Sequence, residues 1–500
     1  MSTTPAYDTL VTAFARQHRL DHLQQMAYWD QEALMPVGAA AARADALAEM
    51  ATLLHGLRTD PALADQLARA EQEPLDAGQR ANWREMRRAV RADQALPSAL
   101  VTRRAQVHAR SELAWRQARP RNDWAGFVPH LREVVALARE EAALRAAQTG
   151  LAPYDALMDG YEPGMTAAEV ERVFAPLHQW LPGLIAQVQA RQQAGGALVQ
   201  PQGPFPTAAQ YGLCEQVMRL LAFNFEAGRL DVSAHPFSGG VPEDVRLTTR
   251  YDEDDFLKSL MGTIHETGHG RYEQGLPRAL LGQPVARARS MAIHESQSLA
   301  FEMQLARHPG FVARLQPLLV ATLGMQPAFE LPNLLRLLHQ VVPGPIRVDA
   351  DEVTYPAHVV LRFEIEQALI AGSMQVEDIP AAWDEGMQRW LGLDTRGDYR
   401  NGPMQDVHWA AGLIGYFPCY TLGAMYAAQW FATLRRQVPD LDARIEAGDL
   451  GVVFDWLRTH VWEAASRFET PELVQRISGE PLNPAYFEAH LRARYLDAAG

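Results

Sequence analysis

Two histidines four residues apart, with a glutamate directly after the first, set the strongest constraint on this chain. In His265-Glu266-Thr267-Gly268-His269 the two imidazoles share a face only if the segment is helical, because positions four apart stack along an α-helix. The approach, Phe256-Leu-Lys-Ser-Leu-Met-Gly-Thr-Ile264, carries apolar residues at roughly helical spacing and no proline. Two imidazoles on one helical face are a zinc-binding pair. A glutamate one residue on is angled toward the same cleft, where it can take a proton from a water acidified by the metal. The spacing therefore predicts a helix carrying a hydrolytic metal centre.

Catalytic zinc ordinarily takes three protein ligands and keeps one position open. The next donors stand in Ile293-His294-Glu295-Ser296-Gln297, far enough past His269 for the chain to turn and return antiparallel. His294 and Glu295 project about 100° apart on a helix, so a single ion takes one of them. Glu295 is preferred, because two histidines and a glutamate form a common catalytic zinc set, and His294 is the alternative. Peptide hydrolysis also needs a donor for the tetrahedral oxyanion. His358, His408, Tyr416 and Tyr420 have polar tips in otherwise apolar sequence and are the candidates.

Other functions are limited by charge and length. The formal charge of −14 argues against nucleic acid or an anionic membrane as partner. Two cysteines, Cys214 and Cys419, are too few for a disulfide scaffold and fit a reducing compartment. The start lacks a basic region followed by an apolar run, so the expected location is cytoplasmic. Trp409 to Phe431 contains no Asp, Glu, Lys or Arg and has the length of a membrane span. Its proline, glutamine and glycines read instead as a buried helix or loop lining an internal cleft, and no membrane partner is expected.

A chain of 500 residues is long enough for more than one core, and its patterning is mainly α. Leu10, Phe14, Leu20, Leu23, Met26 and Trp29 recur at helical intervals, and residues 39–58 and 97–148 are rich in alanine and leucine. Thr166 and Glu169 form a capping box that opens a helix running to about Gln193. A glycine- and proline-rich loop follows, dividing an N-terminal helical lobe, 1–200, from a catalytic lobe, 201–500, packed as one body. Arg229 to Ser233 and Asp244 to Tyr251 alternate and are β-branched. They predict a short β-hairpin just before the motif helix, one strand of which can pair with an extended peptide. Further helices are expected at 286–307, 311–324, 329–341, 356–372 and 421–436.

Several segments carry a family pattern in consistent order: His235-Pro236-Phe237, Asp244-Val-Arg246-Leu-Thr248, the two histidine boxes, Ile346-Arg347 through Asp351-Glu352 to Pro356, and Gly402-Pro-Met-Gln405-Asp406-Val-His408-Trp409. With Trp29-Asp30-Gln-Glu32 and Tyr154 to Gly164, they resemble the thermostable carboxypeptidase Taq-type zinc metallocarboxypeptidases. The resemblance implies a homodimeric, elongated helical zincin with a deep active-site groove, removing C-terminal residues one at a time with broad preference. It implies zinc on His265, His269 and Glu295, with cobalt or manganese as possible substitutes, and Glu266 as general base. The substrate's free carboxylate suits an arginine fork; Arg347 is the first choice and Arg246 the second. His235, His358, His408 and Tyr420 are left to orient substrate or meet the oxyanion. Ala33 and Val353 stand where threonine and leucine are common in the family, small changes away from any ligand. The competing readings are a zinc oligopeptidase or peptidyl-dipeptidase and, from another class, a non-catalytic helical interaction protein.

Overall fold

The apolar periodicity at the start of the chain becomes a long helix, Pro5–Ala33, that buries Leu10 and Phe14. The computed structural model describes residues 3–497. The helices between Pro5 and Gln94 close a small core, with Leu10 and Phe14 against Leu63, Leu67, Trp83 and Met86. A larger core draws on residues from Leu96 to Tyr495, and a third, small one sets Leu230, Val245 and Leu247 of the sheet against Cys214, Met218 and Phe223. Thr166 caps as expected: its hydroxyl accepts from the Glu169 amide at 3.3 Å while Glu169 Oε2 accepts from the Thr166 amide at 3.1 Å. The helix it opens ends at Ala194. The loop that follows interrupts the helices and not the packing, since Leu184 and Val188 before it share the large core with Leu213 and Val217 after it.

A small sheet stands beside the motif helix, and its topology corrects the expected hairpin. Strand β1 (Gly228–Val232) pairs parallel with β3 (Asp244–Thr249), and β2 (Ser238–Val241) pairs antiparallel with β3, giving the order β1-β3-β2. The hairpin is therefore β2–β3, closed by a tight turn at Pro242-Glu243. Ser238-Gly-Gly-Val241 reads as a loop because of its glycines, yet Gly240 needs its φ of +93°, and a Cβ there would lie 2.1 Å from the Asp244 carbonyl oxygen. Alternation predicts strands, but it says nothing of which strand lies between the other two.

The motif helix, Phe256–Gly275, starts where Asp255 accepts from the Leu257 amide at 3.1 Å. It buries Leu260 and Ile264, and Val245 and Leu247 of β3 approach it at Gly270. A return helix, Met291–Leu299, runs on into a π-helical turn, Ala300–Leu305. Its free N-terminal amides are taken by Ser290 Oγ, which accepts from Ile293 at 3.1 Å, and by the buried Glu162, which accepts from Ala292 at 3.1 Å. Behind it lies the helix Pro418–Gln437, so Trp409–Phe431 is turns up to Phe417 and buried helix from Pro418 on. Among the described residues no helix is long and apolar enough to cross a membrane.

The return helix is packed into a slot lined by glycine on both sides. A Cβ on Gly268 would lie 2.5 Å from the Gln297 carbonyl oxygen, and one on Gly423 would lie 2.7 Å from Glu295 Cβ. Trp462 and Trp430 supply indole donors to Gln297 and Ser296 at 2.8 and 3.2 Å, so these two polar side chains of the return helix are satisfied. Gly268→Ala is expected to push the two backbones apart and cost about 1–3 kcal/mol of stability. Denaturant unfolding of the metal-free protein checks this, and an unchanged midpoint would contradict the packing.

Candidate metal centre

Three donors converge where the motif and return helices meet. One ligand atom each from His265, His269 and Glu295 can be chosen so that all lie within 4.8 Å of one another. His265 Nε2 is 3.9 Å from one Glu295 oxygen and His269 Nε2 is 3.6 Å from the other. The side chains are 22%, 14% and 9% exposed respectively, so an ion held there would be shielded yet reachable. Nitrogen and carboxylate donors at this spacing fit zinc.

The other nitrogen of each imidazole is fixed as well. His265 Nδ1 is 2.9 Å from Glu302 Oε2, on the π-helical turn. His269 Nδ1 is 2.6 Å from His294 Nδ1, and His294 Nε2 is 2.8 Å from Glu273 Oε1. His294, the alternative ligand by sequence, is thus turned onto the back of His269. If His269 binds metal through Nε2, its Nδ1–H donates to His294, whose Nε2–H then donates to Glu273. Such outer contacts fix tautomer and ring angle.

Electrostatics follow from burial. Burial opposes a charge on His265, but the hydrogen bond it donates to Glu302 and the carboxylates of Glu295, Glu302 and Glu266 outweigh it and raise its pKa to about 10. His269, desolvated beside His294 and His265, is held well below the usual histidine range. Glu266 is pushed up to about 7, mainly by burial, and its Oε2 is buried without a hydrogen-bond partner. A carboxylate left free and close to neutral pH suits a proton acceptor.

A second cluster contains Arg347. Its Nε and Nη2 donate to Asp406 Oδ1 at 3.2 and 2.9 Å, and Nη1 donates to Tyr355 Oη at 2.6 Å. Arg362 donates to the other Asp406 oxygen at 2.9 and 2.6 Å. Burial opposes the charge on Asp406, but the two arginines hold its carboxyl well below the usual range. One carboxylate shared by two arginines leaves a net positive charge, which the Glu295 carboxyl senses.

The remaining candidates are spread around these two clusters. His408 Nε2 is 3.0 Å from Tyr420 Oη, the Tyr420 ring lies under the Arg347 guanidinium at 4.8 Å, and burial pushes His408 down to about 3. His358 is fully buried, and burial, with Arg362 and Arg347 nearby, lowers it to about 3. Tyr416 packs edge-on to Tyr420 at 5.3 Å. Arg246 is occupied elsewhere: it pairs with Asp244 at 2.6 and 2.8 Å and lies over the Trp29 ring at 4.6 Å. His235 is exposed in the β1–β2 connection, its carbonyl accepting from Ser233 Oγ at 2.6 Å.

The sequence profile described as carboxypeptidase Taq (M32) metallopeptidase matches residues 9–495. The chain belongs to this family. Thermostable carboxypeptidase 1 of Thermus thermophilus is 39% identical over 509 aligned positions, covering 99% of both chains. Trypanosoma cruzi metallocarboxypeptidase 1 superposes with a TM-score of 0.97 at 44% identity, covering 99% of this chain and 100% of that one. The M32 carboxypeptidase from Deinococcus radiodurans R1 superposes with a TM-score of 0.93 at 32% identity, covering 99% of each. The protein is an M32 zinc carboxypeptidase that releases C-terminal residues, and its His265, His269 and Glu295 cluster is consistent with the catalytic zinc site.

Glu302 and Glu273 are absent from the candidates read from sequence, although spacing held a trace of both. Glu302 is two helical turns beyond Glu295 and Glu273 one turn beyond His269, so each shares a face with a ligand. In the M32 enzyme they fix the ligands from behind, and Glu302→Gln should weaken zinc binding roughly 10- to 100-fold, measured by competition with a chelator. The raised pKa of His265 adds a pH dependence. Because it lies above the ordinary value of 6.5, the His265–Glu302 pair stabilises the metal-free protein fully below about pH 6.5 and is lost as pH rises through about 10. Zinc must displace that proton, so uptake at pH 8 should release about one proton per ion, less as pH nears 10. Uptake without proton release in weakly buffered solution would contradict the assignment.

Proposed function

We propose that this M32 zinc carboxypeptidase grips broad-specificity peptide substrates by their free C-terminal carboxylate at Arg347, and that Glu266 is the general base. The observation that carries the reading is the unspent charge of Arg347 beside the metal site. Its Nε and one side of Nη2 serve Asp406 and one Nη1 hydrogen serves Tyr355, which leaves a donor on each terminal nitrogen. Those two donors are spaced for a carboxylate. Arg246 is the weaker choice, because Asp244 and Trp29 already hold its guanidinium.

Zinc bound at the three ligands supplies Lewis acidity toward water and the scissile carbonyl. Glu266 accepts the proton of the attacking water at its unpartnered Oε2 and returns it to the leaving amine. Burial keeps Tyr420 neutral, its pKa pushed well above the usual value, so its hydroxyl stays a donor. His408, uncharged beside it, can donate from Nε2 to the Tyr420 oxygen and free the Tyr420 proton for the oxyanion. His358, fully buried, meets the arginine cluster through its carbonyl, which accepts from Arg362 Nη1 at 2.7 Å, and the exposed His235 is left to meet substrate. A homodimer in the cytoplasm is the remaining part of the proposal, supported by the family resemblance and the sparse cysteines.

Glu266→Gln should keep zinc and lose roughly 10³-fold in turnover. Arg347→Gln should lower kcat/KM roughly 10²-fold on peptides with a free C-terminus. Matched peptides with free and amidated C-termini, followed by mass spectrometry with and without chelator, test the whole reading. Stepwise trimming of the free peptide alone supports it. Internal cuts indifferent to amidation would instead make the enzyme an oligopeptidase.

A further inference from the structure

Glu302 holds the ligand His265 from a π-helical turn whose end has lost its own hydrogen-bond partners. The last carbonyls of any helix lack intrahelical donors. Here the Met303 and Gln304 carbonyls accept from Arg494, Met303 from Nη1 and Gln304 from Nη2 at 3.3 Å. Arg494 belongs to the last described segment, the helix Ala485–Arg492 and the π-helical turn Ala493–Asp497. Far from the ligands in sequence, it is 9% exposed.

The same segment converges on a second point. The Glu352 carboxylate is buried and accepts from Arg494 Nη1 at 2.8 Å, His490 Nε2 at 2.6 Å and Tyr495 Oη at 3.0 Å. Glu352 stands shortly after Arg347 along the chain. A further route leads back to Glu302. The Tyr495 ring packs edge-on against His339 at 5.8 Å, and His339 Nε2 donates to the Arg307 carbonyl at 2.8 Å. Arg307 Nη2 in turn donates to Glu302 Oε1 at 3.4 Å.

We infer that this C-terminal segment is a clamp on the metal centre, in which Arg494 and Tyr495 are positioning residues that hold the Glu302 turn and, through it, His265. The inference rests on the zinc carboxypeptidase reading. Its physical basis is that a buried carboxylate and two helix-end carbonyls share one guanidinium. Removing that guanidinium leaves polar groups unpaired in the interior, and the turn shifts to reach other donors. Arg494 contacts the turn and Glu352 rather than the three ligands, so the damage falls on how firmly the ion is held.

The test uses the full-length zinc-loaded enzyme and reads zinc release into a chromogenic chelator, together with kcat and KM on a peptide with a free C-terminus. Arg494→Met should release zinc about tenfold faster and lower kcat with little change in KM. Tyr495→Phe should move both in the same direction by less, and Arg494→Lys should recover part of the loss. Arg492→Ala, which removes only a pair with Glu488 at 2.8 Å, should match the parent. Parent-like release from folded Arg494→Met and Tyr495→Phe overturns the clamp, as does equal acceleration in Arg492→Ala. Should Arg494→Met fail to fold, Tyr495→Phe and Arg494→Lys decide alone, parent-like release from both overturning it. A parent enzyme that neither holds zinc nor trims the peptide would overturn the carboxypeptidase reading instead.

Discussion

At Gly268 the backbone of the motif helix meets that of the return helix with no side chain between them, and the metal set depends on that contact. Glu295 reaches both histidines only because its helix lies this close, and Gly423 lets a third helix press from behind. Indoles from Trp430 and Trp462 then satisfy Ser296 and Gln297, which the slot would otherwise strand. Close packing of this kind is stiff, which is what a centre that must hold three donors around one ion requires.

Charge is arranged around the slot in alternation. His265 lies between the carboxylates of Glu295 and Glu302, and Asp406 lies between two arginines. Each cluster satisfies most of its own buried charge, as a low-dielectric interior demands. Neither is fully neutral: the metal side is rich in carboxylate and the arginine side keeps a net positive charge. Under the proposed grip at Arg347, a peptide whose C-terminal carboxylate is drawn to the arginines would present its last amide bond toward the carboxylate side. On that proposal, orientation of substrate and binding of metal draw on the same division of charge.

Much of this was legible in the chain before any tertiary contact was known. Helical spacing placed His265 and His269 on one face, the Thr166–Glu169 box marked a helix start, and the residue pairings of known zinc sites favoured Glu295. The glycine-rich β2 was not legible, because a strand held by a positive-φ glycine carries no alternation. The partner order of β1 and β3 was also hidden, since alternation describes one strand and not its neighbour. His294 illustrates the limit: spacing showed that it and Glu295 point in different directions, but not that His294 points at His269.

Local pattern alone therefore decided the elements that carry the chemistry and the face each ligand shares. Those are properties of a few consecutive residues, and backbone geometry dictates them at short range. The tertiary structure decided which groups stand behind the ligands, Glu302 and the His294–Glu273 pair, and which arginine keeps donors to spare. It also brought Arg494 to the end of the turn bearing Glu302. Such partners are selected by the close packing of distant segments in three dimensions, and their separation along the chain leaves no spacing from which to read them.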